Sequence, residues 1–315
     1  MPRLFTIGEA LVDFIPTKKG LSLKDVTFFK KSPGGAPANV ASAVAKLGGD
    51  SAFIGKVGTD PFGDFLVAIL NVVGVDTEYI KRTSKTNTAL AFVSLKQDGD
   101  REFLFYRNPG ADMLLNEDEI GANWFCRDDI LHFCSVGLVE APAKYAHKKA
   151  IELMKIKEGL ISFDPNVRLP LCNDTEKCRD TIREFIPLAN ILKINDEEIK
   201  FITGISDENE AISSLFIGDV ELIVYTKGAK GAALYTKNFG VTVPGEQVEV
   251  VDTTGAGDAF IGAFLYKMLY EGIEIEKLDK FKANEILKFA NKVASISVTR
   301  PGAISSLPKE NEIED

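Results

Sequence analysis

The stretch Asp252-Thr253-Thr254-Gly255-Ala256-Gly257-Asp258 runs directly into Ala259-Phe260-Ile261-Gly262-Ala263-Phe264-Leu265, an almost wholly apolar helical segment. A helix of that composition is buried on most sides, so a charged residue at its mouth needs a reason. One reading is a helix cap, since Asp is among the best N-cap residues and the glycines permit the turn. A cap alone leaves unexplained two glycines, two threonines and a second acid before one buried helix. The other reading covers the whole cluster. Free amides of Gly255, Ala256 and Gly257 at a helix N-terminus make an anion hole, and Asp258 is a base beside it. A hydroxyl held there loses its proton to Asp258 while the amides stabilise charge building on a transferred phosphoryl group.

Outward from this motif, short β-rich runs alternate with longer helical ones, the signature of parallel β-α-β units. Strands are expected over 51–55, 130–134, 160–163, 191–194 and 222–225, with helices over 142–157, 175–186, 196–203 and 284–299. Asp60 caps a further helix with Pro61 in its first turn and Gly74 at its end. Two segments, 88–95 and 102–107, flank Asp98-Gly99, a tight hairpin turn signal. With 10–16 and 26–29 they are expected to form a small second sheet, a lid built from about 10–30 and 88–112. No linker or repeat divides the chain, so one α/β domain over 1–315 is expected.

Near the start, Pro33-Gly34-Gly35-Ala36-Pro37-Ala38-Asn39 leads into an alanine-rich helix. Its bland reading is a tightly packed helix behind a glycine turn. Its functional reading is that Gly34 and Gly35 let a ligand approach the backbone while Asn39 offers a donor and an acceptor to hydroxyls.

Composition narrows the remaining classes. The 315 residues carry 37 Lys and Arg against 46 Asp and Glu, a net charge of -9, which argues against nucleic acid as a partner. The longest apolar stretches are too short to span a bilayer, and no signal-peptide apolar region precedes Glu9 and Asp13, so a cytoplasmic location without membrane contact is expected. Cys126, Cys134, Cys172 and Cys178 contain no C-x-x-C pair and fit a reduced protein; a zinc site on Cys172 and Cys178 is the less favoured reading. Neither a Walker-type nor a G-x-G-x-x-G motif occurs. The two histidines read as a hydrogen-bonded core residue (His132) and a surface residue on a lysine-rich helix (His147).

The early and late glycine motifs together resemble the two signatures of the ribokinase-like (PfkB) carbohydrate kinases, and the resemblance runs from Gly8 to about Pro308. It implies a central, mostly parallel sheet flanked by helices, with a small β-sheet lid that often pairs with a second subunit, hence a homodimer through the lid. It implies ATP and Mg2+, with Asp258 as catalytic base and Gly255, Ala256 and Gly257 as the anion hole. Asp13, Gly34, Gly35 and Asn39 would contact sugar hydroxyls. Asn195 and Glu198 match an N-x-x-E element on the magnesium and phosphate side, Thr226 and Gly228 a T-x-G element lining the ATP site, and Asn291 falls at the adenine pocket. The bland readings of these are a cap for Asn195, a solvated charge for Glu198 and a surface residue for Asn291.

Within that family, the segments 8–14, 106–113 and 163–171 look most like fructokinases, which phosphorylate fructose at the C6 hydroxyl. Arg107 and Arg168 in a sugar site suit an anionic substrate such as 2-keto-3-deoxygluconate equally well, and Arg168 has a structural alternative as the ion-pair partner of Asp164. A catalytically inactive sugar-binding homologue is the remaining alternative. A potassium ion is a further expectation, held by carbonyls of the 252–254 and 300–306 loops (Asp252, Thr254, Gly302, Ser306) with the Asp252 carboxylate. Its alternative is Asp252 simply capping its own turn.

Overall fold

In the computed structural model, which describes residues 2–18, 20–95, 101–172 and 174–313, local rules set the element boundaries. Asp60 accepts hydrogen bonds from the amides of Phe62 and Gly63, and Gly74 closes the same helix in the left-handed conformation. Asn195 caps its helix reciprocally with Glu198. Among the described residues the helices are α1 (Ala36–Lys46), α2 (Pro61–Val73), α3 (Pro142–Ile156), α4 (Thr175–Phe185), α5 (Asp196–Thr203), α6 (Glu208–Ser214), α7 (Ala256–Tyr270) and α8 (Lys280–Val298).

The strands are β1 (Leu4–Ile7), β2 (Leu11–Pro16), β3 (Phe29–Gly34), β4 (Ser51–Gly58), β5 (Ile80–Thr83), β6 (Leu90–Leu95), β7 (Arg101–Tyr106), β8 (Ile130–Cys134), β9 (Leu160–Asp164), β10 (Ile191–Asn195), β11 (Leu222–Thr226), β12 (Ala232–Thr236) and β13 (Gly240–Val243). The larger sheet has the order β13-β12-β11-β10-β9-β8-β1-β4-β5. It is parallel from β11 to β5 and antiparallel only across β11, β12 and β13. Alternation along each strand feeds two cores. Leu4, Ile130, Ile191 and Leu222 face α1, α7 and α8, while Phe5, Leu131, Leu192 and Ile223 face α3, α4, α5 and α6.

The small sheet has the order β3-β2-β6-β7. Its strand β3 departs from expectation: the strand is not 26–29 but Phe29–Gly34, so it delivers the chain directly to Gly35, and a short 3-10 turn occupies Leu23–Asp25. The Asp98-Gly99 turn lies outside the described residues. Also unanticipated were the interior strand β1, the strands β5, β12 and β13 at the two ends of the larger sheet, and helix α6. His147 overturns its surface reading. It is buried against β1 and the 135–138 turn, its Nδ1 donating to Ala143 O at 2.7 Å. His132 is a core residue as expected, fully buried, with Nδ1 3.0 Å from Ser162 Oγ.

Candidate active site

The site begins with a close helix crossing. A Cβ on Gly262 of α7 would stand 2.5 Å from Ala43 Cβ of α1, so only small residues let these helices approach. The crossing brings together two residues 219 positions apart: Asn39 Nδ2 donates to Asp258 Oδ2 at 2.8 Å. Asp258 is not the cap of α7. The N-cap is Gly255 at φ 75, no side chain caps the helix, and Asp258 sits in its first turn. The amide of Ala256 donates to Thr253 O at 3.3 Å. Burial pushes the Asp258 carboxyl up; the Asn39 hydrogen bond, then Arg168 and Lys193, draw it back. Asn39 Oδ1, whose amide nitrogen is already used, has no hydrogen-bond partner among the described residues.

Asp258, Asn39, Gly35 and the 250–255 loop line a cavity of about 810 Å³ whose other wall is the small sheet. The pleat decides which side chains face it: Leu11, Asp13 and Ile15 of β2, with Val93 of β6 and Phe105 of β7. Gly34, paired with Leu11 across β2 and β3, leaves room for the Asp13 carboxylate to lie over it. Gly35 adopts φ 107 with Glu9 O against its bare face, a position closed to any side chain. Sequence reasoning did not single out Glu9. It lines the cavity, its Oε1 accepts from Ala36 N at 3.2 Å, and its Oε2 lacks a partner among the described residues. Burial pushes Glu9 up to about 7.

The two arginines part company. Arg168 is exposed and lines the cavity. Arg107 is buried and not among the lining residues; Asp112 Oδ2 accepts from its Nε at 2.7 Å and from Nη2 at 2.6 Å, and Val136 O accepts at 3.1 Å. The ion-pair partner of Asp164 is Lys193 at 2.9 Å, not Arg168.

On the far side of Asp258, Glu198 is buried rather than solvated. Its Oε2 accepts from Asn195 N and its Oε1 from Val167 N, both at 3.0 Å, while Asn195 Oδ1 accepts from Glu198 N at 2.8 Å. Thr226 ends β11 and Gly228 follows in a turn at φ 54. Asn291 on α8 is buried and donates to Pro244 O at 3.2 Å, tying that helix to the strand that leads into the 244–255 loop. Asp252 joins two loops. Its Oδ1 accepts from Thr254 N and Oγ1 at 2.9 and 2.7 Å, and its Oδ2 from Gly302 N at 2.9 Å. Ser306, buried, donates to Ala303 O at 2.8 Å. Cys172 and Cys178 are joined as a disulfide, Cα atoms 6.0 Å apart, in place of the free thiols or zinc ligands that their spacing suggested.

A nine-stranded sheet of this order, a small second sheet across the cavity, and a buried carboxyl on the first turn of a helix that no side chain caps make up the ribokinase-like architecture of sugar kinases. The chain belongs to the pfkB family of carbohydrate kinases, which it matches over residues 1–310. It is 46% identical to "Probable fructokinase-5" of Arabidopsis thaliana over 98% of this chain and 94% of the relative. Among solved structures it is similar to a fructokinase of Xylella fastidiosa with bound ATP, at 35% identity and a TM-score of 0.90, covering 99% and 96% of the two chains. A fructokinase of Vibrio cholerae bound to fructose, ADP and potassium ion matches at 35% identity and a TM-score of 0.88, covering 99% and 97%.

Proposed function

We propose that the protein is an ATP-dependent fructokinase that transfers the γ-phosphoryl group of ATP to the C6 hydroxyl of fructose. The observation that carries this reading is the Asp258–Asn39 pair at the floor of the cavity, beside helix amides that no side chain caps. A sugar hydroxyl placed there gives its proton to the Asp258 carboxylate as its oxygen attacks the γ-phosphorus. The new O–P bond forms, the bond to the bridging oxygen breaks, and ADP leaves with that electron pair. Helix amides stabilise the charge on the phosphoryl oxygens, and Asp13, Asn39 and the Gly34-Gly35 backbone orient the sugar.

Asn195 and Glu198 supply hard oxygen donors of the kind Mg2+ prefers, and Thr226, Gly228 and Asn291 lie on the nucleotide side. The bound ion would draw charge from the phosphates. Potassium fits the 252–254 and 300–306 loops, which Asp252 already ties together; it would act by ordering the amides of the hole. The small sheet acts as the lid, excluding water that would otherwise hydrolyse ATP, and pairs with a second copy of the chain. ATP supply supports a cytoplasmic location.

The keto-acid alternative rested on two arginines. Only Arg168 reaches the cavity, because Arg107 is neutralised by Asp112, and this favours the neutral sugar. The intact Asp258–Asn39 pair weighs against an inactive homologue. Fructose and 2-keto-3-deoxygluconate, assayed side by side with Mg-ATP in KCl and in choline chloride at equal ionic strength, test the reading. A higher kcat/KM for fructose, a fructose 6-phosphate product and faster turnover in KCl are expected. Preference for the keto-acid overturns the substrate, equal rates in both salts overturn the potassium site, and no turnover of either overturns the activity.

A further inference from the structure

The sheet places a buried cation beneath the anion hole. On the face that packs against α7, β10 presents Ile191 and then, two residues on, Lys193. Neighbouring β9 presents Ser162 opposite Ile191, which brings Asp164 beside Lys193. The ammonium lies 2.9 Å from Asp164 Oδ2, both side chains are almost fully buried, and Nζ stands 3.3 Å from the point a Cβ on Gly257 would occupy. Gly257 is not in the left-handed region. Its missing side chain therefore clears the space between Lys193 and the first turn of α7.

A structural ion pair is a weak account of this arrangement. A buried pair of charges is often no more stable than apolar residues of similar volume, and Ile191, Leu222 and Val224 show that apolar residues fill the rest of this face. The location is also wrong for a lysine on its own, because helix N-termini favour anions and disfavour cations. Asp164 offsets part of that cost. A phosphoryl group between the ammonium and the helix amides turns both positive ends to use. Burial works against the charge of Lys193, and Asp164, Glu198 and Asp258 together outweigh it and hold the ammonium charged.

We propose that Lys193 is a catalytic residue of the phosphoryl transfer, its ammonium contacting the γ-phosphoryl oxygens at Gly257 while Asp164 holds it in place. It neutralises charge and transfers no proton; the proton goes to Asp258 and the electron pair to ADP, as above. The inference rests on the kinase reading, and the test separates the two.

The comparison is between Asp164→Asn, which keeps the ammonium, and Asp164→Asn combined with Lys193→Met, which removes both charges and leaves no buried ion unpaired. Lys193→Gln in the same background serves if the Met variant does not fold, and melting curves establish folding for each. Two quantities are read: kcat with fructose, and the ratio of affinities for a β,γ-imido ATP analogue and for ADP, measured by calorimetry. The double variant is expected to lose about a hundredfold in kcat and about tenfold in the analogue-to-ADP ratio, while Asp164→Asn alone, which loosens the ammonium but keeps its charge, is expected to lose about tenfold in kcat and about threefold in the ratio. Equal values for the single and double variants in both readouts make the pair structural and overturn the proposal. An inactive wild type that still prefers the analogue overturns the kinase reading but not the contact.

Discussion

Burial works against the ionisation of Asp258, and its neighbours restore part of it. The carboxyl is raised by desolvation and lowered by Asn39, Arg168 and Lys193, so a charged carboxylate here is kept at a cost in stability. Two results follow from the sign. Only the carboxylate accepts the sugar proton, so kcat/KM should fall as pH drops through a value above the ordinary range for Asp; an acid limb within that ordinary range contradicts the environment described. An acid whose folded value is raised favours folding below that value and loses the contribution as pH rises through it. Asp258→Asn, which keeps a partner for Asn39, should therefore melt at or above the wild-type temperature at pH 8, with a smaller gain at pH 5. Loss of a general base typically costs about 10²- to 10⁴-fold in rate, and kcat should fall by that much. Wild-type turnover in this variant would remove Asp258 from the base role.

At the scale of elements, the geometry depends on how closely α1 and α7 cross. Gly262 against Ala43 sets the spacing that joins Asn39 to Asp258. Gly262→Ala should overpack the crossing, costing about 1–3 kcal/mol, with a lower melting temperature and a lower kcat. Ala43→Gly in the same background should recover part of both, although a second helical glycine itself costs about 1 kcal/mol; recovery of stability without recovery of kcat would uncouple the crossing from the site. These helices were legible in the sequence because their signals are local: Asp60 and Gly74 bound α2, and alanines mark the packed face of α1. The 252–258 motif was legible for the same reason. What escaped was non-local or short. β1 is four residues long, β12 and β13 form an edge hairpin, and His147 was hidden by a helix whose lysines lie on its other faces. Lys193 beside Asp164 is a relation between strands 29 residues apart in sequence; a lone lysine in an apolar strand was its only trace. The cap reading of Asp258, the less favoured of its two, fails because Gly255 is the N-cap, and a glycine cap leaves no side chain to read.

For the whole molecule, the small sheet presents two faces of different kinds. One lines the cavity with Asp13, Val93 and Phe105. The other carries aromatic residues: Phe14 stacks on Phe92 at 4.8 Å, Phe29 and Tyr106 meet Phe92 edge-on at 5.5 Å each, and Phe62 of α2 closes one side against Phe14. On this sheet Phe105 turns inward to the cavity and Phe92 is half covered. Apolar residues left at the surface here are Phe28 at 71% exposure, Tyr106 at 61% and Leu104 at 47%. Leu104 and Tyr106 are two apart on β7 and share the face opposite Phe105. Apolar residues grouped on one face of a sheet are the kind of surface that a second subunit covers, and a lid held this way would close over the sugar with less loss of freedom. Sedimentation equilibrium at micromolar concentration should give twice the 34.4 kDa chain mass. Leu104→Lys with Tyr106→Lys should return the chain to monomer and raise KM for fructose more than it lowers kcat, because neither residue belongs to the catalytic machinery. A wild-type monomer at that concentration would mean that the lid closes over its own cavity without a partner.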